Sequence, residues 1–97
     1  MQSWVGVPVL VTGGASFIGS HLVDSLVKLG AKVRVADDLS SGRLANLELS
    51  IEQIEFREGD LRERSFAREV VQDQQVVFHL AACHGGRGFI DTHPADK

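Results

Sequence analysis

The spacing of apolar positions changes period several times along the chain. Pro8–Thr12 (PVLVT) is apolar and β-branched-rich with no polar face, and Gly13-Gly14 ends it. That is the pattern of a strand buried on both sides. From there the period lengthens. Ile18, Leu22, Leu26 and Leu29 fall on one face of a helix, and Phe17, Val23 and Val27 widen it. Ser16 is placed to cap that helix and Gly30 to stop it. His21 then points to solvent. Lys32–Ala36 alternates Val33 and Val35 with charged neighbours, as a second strand, and runs into Asp37-Asp38-Leu39-Ser40-Ser41-Gly42, a loop by composition. Residues 43–50, with Leu44, Leu47 and then Ile51, fit one or two weak helical turns or a cover over the sheet edge. Ile54–Arg57 reads as a third strand closed by Gly59-Asp60. Arg62–Asp73 reads as a helix with Phe66, Val70 and Val71 inward. Val76–Ala82 (VVFHLAA) is apolar almost throughout and is expected to be a central fourth strand. Trp4 is expected to cap one side of the first strand or to be disordered.

Strands alternating with helices predict right-handed crossovers and a parallel sheet. The fold class is therefore α/β, the first half of a doubly wound nucleotide-binding sheet with four strands in the order 3-2-1-4. A chain of 97 residues fits one small domain. Apolar residues at 43% and charged residues at 24% fit an ordered globular chain. A net charge of −3 gives no basic excess, so neither nucleic acid nor an anionic membrane is indicated as a partner. The single cysteine, Cys83, excludes an internal disulfide framework and fits a reducing, cytoplasmic compartment. No apolar stretch approaches the ~20 residues that span a bilayer. The start, MQSWVGVPVLV, has no basic region of the kind that opens a signal peptide.

The chemistry concentrates where the first strand meets the first helix, in Thr12-Gly13-Gly14-Ala15-Ser16-Phe17-Ile18-Gly19. A phosphate needs backbone N–H groups aimed at it and no Cβ in the way. Gly13 is expected to make the tight turn, and Gly19 to let the helix pack close to the strand. The helix start offers unpaired N–H donors and a partial positive charge. Asp37 closes the second strand. A carboxylate there accepts hydrogen bonds from both ribose hydroxyls of an adenosine and repels a 2′-phosphate, which favours NAD over NADP. No Gly-Lys-Ser/Thr follows the glycines, which excludes a Walker-type loop.

TGGASFIGSHL, ADDLSSG, EGDL at 58–61 and HLAA at 79–82, in that order, resemble the extended short-chain dehydrogenase/reductase superfamily. Within it the likeness is to the NAD-dependent nucleotide-sugar epimerases and dehydratases, over about residues 7–93. Gly85-Gly86-Arg87-Gly88-Phe89-Ile90 is similar to the corresponding loop of the GDP-mannose 3,5-epimerases. The resemblance implies a Rossmann-like fold and NAD as cofactor. It implies that Gly13, Ser16, Phe17, Ile18 and Gly19 line the pyrophosphate turn and that Asp37 binds the adenosine ribose. It sets Asp38, Leu39, Ser41 and Gly42 beside the adenine and its ribose. Asp60 and Leu61 would form the other wall, with the Asp60 side chain toward the exocyclic amine, although a Gly-Asp after a strand is equally an ordinary turn. Leu80, Ala81 and Ala82 would run past the pyrophosphate toward the nicotinamide ribose. The family usually has glycine where Ser16 stands. Its hydroxyl is expected either to donate to a phosphate or to push the cofactor away.

In the family a tyrosine, with a lysine four residues on, carries the proton chemistry. This sequence has no tyrosine, and Lys28, Lys32 and Lys97 are not in that relation to one. No catalytic residue is therefore assigned. Asp91-Thr92-His93-Pro94 has the form of a helix start, so residues 1–97 are read as a partial NAD-binding domain, with 1–6 and 91–97 flexible, from a longer enzyme. Ending at Val76–Ala82 would leave a flat apolar edge, which predicts marginal stability or a homodimer or larger oligomer. The expected activity is transient oxidation of a sugar ring carbon, with a nucleotide sugar as the parent's substrate. The alternatives are a non-catalytic NAD-binding sensor or scaffold, and a reductase acting on a non-sugar carbonyl. His79, Cys83, His84 and His93 do not suggest converging zinc ligands. Cys83 is not read as a nucleophile, and Arg87 is read as either a substrate contact or a solvated cation.

Overall fold

Val9, Leu10 and Val11 are fully buried, because their strand has a core on each face. This is β1 (Pro8–Thr12) of the computed structural model, which describes residues 3–81 and the strand residues 92–94. β2 (Lys32–Asp37) and β4 (Val76–His79) flank β1 in parallel, and β3 (Ile54–Glu58) pairs with β2. The parallel order is 3-2-1-4, as the alternation of strand and helix predicts.

Side chains alternate across a strand, so β1 feeds two cores. Val9 and Val11 join Val23, Leu26, Val33, Val35 and Leu47 beneath α1 (Phe17–Lys28). Leu10 joins Ala36, Val70 and Val77 beneath α2 (Arg64–Val71), with Phe66 and Leu61 packed alongside. Arg34, on β2, ties α2 to the sheet: its Nη1 donates to the carbonyls of Val70 (2.9 Å) and Gln72 (3.1 Å). Those are carbonyls at a helix end with no intrahelical donor, and a cation suits them. Trp4 is half-buried and meets the Phe78 ring at 6.2 Å between centroids.

Three details differ from the sequence reading. α1 does not bury Ile18 and Phe17, which are 71% and 72% exposed; it buries Gly19, Ser20, Val23 and Leu26. The helix start must come close to the strand end, and only the face carrying Gly19 and Ser20 is small enough. Leu29, at the C-cap, is also half exposed. α2 is shorter than expected and leaves Val71 partly exposed: Gln72 leaves the helix with an extended ψ of 131°, and Asp73 beyond it takes a left-handed φ of 65°. Of the alternatives left open for residues 43–50, weak helical turns are what forms: two 3₁₀ turns, Leu44–Leu47 and Ile51–Gln53. Last, Thr92–Pro94 is not a helix start. It is β5, antiparallel on the outer edge of β4, pairing Phe78 with Thr92 and Val76 with Pro94. A residue before proline favours extended backbone, and an edge strand tolerates the missing N–H. The apolar edge expected at β4 is thereby partly covered.

Leu47 projects from a surface turn into the core and is fully buried, whereas Leu49 two residues on is 83% exposed. Leu47→Ala should cost about 2–4 kcal/mol of unfolding free energy and Leu49→Ala under about 0.5 kcal/mol. Urea denaturation of the two variants checks this; equal losses would remove Leu47 from the core.

Candidate functional site

A groove of about 120 Å³ opens outside the carboxyl ends of β1, β2 and β4. This is where strand order reverses around β1, the place at which open α/β sheets bind ligands. A more voluminous depression, about 610 Å³, lies near the opposite strand ends against Pro8, Lys32 and Ile54. It is wide open, and the backbone features described below all lie at the other end.

The groove is built first by the end of β1. Gly13 has φ 71° and donates its N–H to the Ala36 carbonyl at 2.8 Å. A Cβ at Gly13 would lie 2.8 Å from the Ala81 nitrogen, so the turn can approach β4's extension only as glycine. Beneath it, the buried Thr12 hydroxyl meets His79 Nδ1 at 2.7 Å and accepts the Leu80 N–H at 3.1 Å, holding the ends of β1 and β4 together.

Ser16 begins α1. Its hydroxyl donates to the Gly13 carbonyl (2.8 Å) and accepts the Gly19 N–H (3.0 Å). The capping expected from the sequence is present. The hydroxyl is engaged by the backbone of the turn itself, while Ser16 also lines the groove. A side chain at Gly19 would strike the Gly13 carbonyl and Ser16 Oγ. With Gly19 taken, the amides of Phe17 and Ile18 have no partner among the described residues and point out of the helix start.

Asp37 ends β2 at 7% exposure. Its Oδ2 accepts the Ala15 N–H at 2.9 Å and its Oδ1 the Leu39 N–H at 2.8 Å. Two backbone donors thus compensate a buried charge, and each oxygen keeps a further lone pair. The Leu39 contact also supports that residue's left-handed φ of 62°. Asp38 is exposed, and the hydroxyl and amide of Ser40 on its Oδ1 (2.7 and 2.9 Å) hold its carboxyl below the usual range. Asp60 faces Arg62. The guanidinium grips both its oxygens (2.9–3.2 Å) and the Arg62 N–H adds a further bond, so its carboxyl is also held low. The Asp60 side chain expected to face a base is thus engaged by a neighbour that the sequence reading did not single out.

Of the expected site residues, Gly13, Ser16, Asp37, Asp38, Ser41, Gly42, Leu61, Leu80 and Ala81 line the groove. Phe17, Ile18, Gly19, Leu39 and Asp60 do not; they lie on its supporting segments. Ala82, Cys83, His84 and Arg87 fall outside the described residues. The sequence reading missed Ala36, Ser40 and Gly59, which also line the groove. Gly59 and Ser40 lie inside motifs already quoted, EGDL and ADDLSSG, and adjacency was the available signal. Among the described residues, no three His, Cys, Asp or Glu side chains converge as metal ligands, and no helix is long and apolar enough to cross a membrane.

Comparison with known proteins agrees with this geometry. The family described as "NAD dependent epimerase/dehydratase family" matches residues 9–96. A UDP-glucose 4-epimerase of Mycolicibacterium smegmatis is 40% identical over 90 residues, 90% of this chain and 29% of that protein. A putative UDP-glucose 4-epimerase of Methanocaldococcus jannaschii is 39% identical over 75 residues, 76% of this chain and 24% of that one. Among solved structures, an epimerase of Methanothermobacter thermautotrophicus superposes with TM-score 0.76 at 42% identity, covering 82% of this chain and 24% of its own. A dTDP-glucose 4,6-dehydratase of Bacillus anthracis, solved with NAD, gives 0.74 at 30% identity over 80% and 27%. The chain thus spans about a quarter of the length of these relatives.

Two outcomes follow from the hydrogen bonds. Ser16→Ala removes the helix cap and should cost about 1 kcal/mol, whereas Ser16→Gly should cost only a few tenths, by chemical denaturation. Asp38 and Asp60 have folded pKa values below their unfolded ones. Their contribution is present above about pH 4 and is lost as pH falls through the folded values. The protection of the Ser40 and Arg62 amides, taken relative to their intrinsic exchange rates, should therefore fall below about pH 4 before that of the β1 amides. Unaltered protection at both residues down to global unfolding would contradict it.

Proposed function

The chain belongs to the NAD-dependent epimerase/dehydratase family, and from that premise we propose that it is the NAD-binding N-terminal part of a nucleotide-sugar epimerase or dehydratase. The observation that carries this reading is the Gly13 turn and the Asp37 carboxylate on one groove, with the helix start that carries the Phe17 and Ile18 amides, unpaired among the described residues, beginning at the groove-lining Ser16. The fit to NAD rests on the same features. A Cβ would fill the cradle at Gly13, the free donors suit a diphosphate, and the acid is an acceptor suited to ribose hydroxyls.

In this reading the chain's residues bind and orient. The Phe17 and Ile18 amides, with the partial positive charge of α1, receive the diphosphate. Asp37 accepts from the adenosine ribose through the lone pairs its backbone partners leave. Asp38, Leu39, Ser41 and Gly42 flank that ribose and the adenine, and Asp60 and Leu61 close the other side. Here Asp60 acts through Arg62, whose guanidinium it holds in place. Leu80 and Ala81 guide the diphosphate past Gly13. Gly19 and Ser16 shape the turn that lines the diphosphate, Ser16 from the groove wall and Gly19 by admitting the close approach of the Gly13 carbonyl. When bound, NAD supplies a hydride acceptor and donor for a sugar ring carbon. The 97 residues contain no tyrosine, so the proposal gives them cofactor binding and no proton transfer of their own. The substrate assigned to the whole protein is a nucleotide sugar, in keeping with relatives named UDP-glucose 4-epimerase and dTDP-glucose 4,6-dehydratase.

Calorimetric titration of the chain with NAD and NADP tests the reading. NAD should bind, and NADP at least about tenfold more weakly, about 1.4 kcal/mol, because its 2′-phosphate would meet the Asp37 carboxylate. Asp37→Asn should narrow that gap. Equal or tighter binding of NADP by the unaltered chain would overturn the role given to Asp37.

A further inference from the structure

The loop after β2 and the glycine turn meet at one residue, Ala15. Its N–H donates to Asp37 Oδ2 at 2.9 Å. Its carbonyl oxygen accepts twice from the loop, from the Arg43 N–H at 3.1 Å and from Asn46 Nδ2 at 2.8 Å. The loop presses on the same group from a third direction. A Cβ at Gly42 would lie 2.7 Å from the Ala15 carbonyl carbon and 2.8 Å from its oxygen. Asn46 is itself fixed. It sits in the Leu44–Leu47 turn, its N–H donates to the Arg43 carbonyl at 3.0 Å, and the next residue, Leu47, is fully buried under α1.

The peptide linking Ala15 to Ser16 is therefore held at both ends. Asn46 and Arg43 hold its oxygen, and the Ser16 N–H donates to the Gly13 carbonyl at 3.2 Å. The next two amides along the chain are those of Phe17 and Ile18. A rotation of the Ala15–Ser16 plane would swing both, because each peptide plane shares a Cα with the next and only φ and ψ are soft. The Asn46 amide is a neutral donor with no reach into the groove's lining, so any effect it has on a ligand passes through Ala15.

We infer that Asn46 is a positioning residue for the diphosphate: it orients the amides of the glycine turn from the adenosine-side loop and so couples the two halves of the site. The inference rests on the NAD reading above and goes beyond it, since no motif used for that reading includes Asn46. It also explains why a surface turn carries an asparagine whose side chain is spent on a main-chain carbonyl.

The test compares ligand fragments on the full 97-residue chain. Adenosine, ADP and NAD are titrated, by NMR shift for adenosine and by calorimetry for the other two, into the unaltered chain, Asn46→Ala and Asn46→Asp. Asn46→Asp keeps the shape but sets an oxygen against the Ala15 carbonyl, and it decides the matter should Asn46→Ala fail to fold. ADP and NAD should bind about five- to tenfold more weakly to each variant, with adenosine affinity within about twofold of the unaltered chain. Equal weakening of all three ligands would mean that the loop has merely loosened, and no weakening would mean that Ala15 is held without Asn46. Either result overturns the inference. Failure of the unaltered chain to bind ADP or NAD would instead sink the NAD reading on which it rests.

Discussion

A strand buried on both faces has to stop at the protein surface, and here it stops in a residue that cannot carry a side chain. Gly13 turns left-handed at the end of β1 with the backbone of Leu80 and Ala81 directly against it. Everything the groove offers follows from that contact. It sets how closely the β1 and β4 ends approach, it aims α1 back across the sheet, and it brings the helix start to the point where strand order reverses. Thr12 and His79, bonded just below, keep the two strand ends in register.

The second constraint is electrostatic. Asp37 is buried, and a buried carboxylate is tolerated only when its oxygens are bonded. The chain meets that need with two of its own amides, at Ala15 and Leu39. One carboxylate therefore joins the glycine turn to the loop that follows β2, and holds a leucine in a backbone conformation that leucine seldom adopts. Structural and ligand-facing duties fall on the same atoms. Removing the acid would disturb both: an asparagine there would set its NH2 against one of the two N–H donors, and an alanine would leave both amides bare.

The parallel four-strand order, the existence of α1 and its cap, and the glycine turn were legible in the sequence because each rests on a local rule: apolar run, helical period, Ser at a helix start, glycine between strand and helix. What was not legible depended on tertiary choice. Apolar bulk along α1 pointed to Ile18 and Phe17, yet the helix buries the neighbouring face, since Gly19 and Ser20 permit an approach that larger side chains forbid. The Leu44–Leu47 turn has no strong period, and only the burial of Leu47 shows which side faces the core. Arg62 and Asn46 carry no motif. Their importance comes from partners, Asp60 and Ala15, that no spacing rule connects to them. The β5 pairing at Thr92–Pro94 is a matter of which edge is exposed, and edges are a property of the sheet rather than of the segment.

The donors this site presents are main-chain amides, which every residue but proline possesses. Their presence cannot be what the sequence specifies. It specifies where side chains are missing, at Gly13, Gly19 and Gly42, and which side chains turn inward to set peptide planes: Ser16 on Gly13, Asp37 and Asn46 on Ala15. A site of that kind tolerates exchange of its outward residues, and Phe17 and Ile18, more than two-thirds exposed, contribute through their backbone. Changes in the inward set are tolerated only where the peptide planes keep their orientation. The glycine-to-serine departure at position 16 is compatible with the turn because the serine hydroxyl joins that inward set, bonded to Gly13 and Gly19.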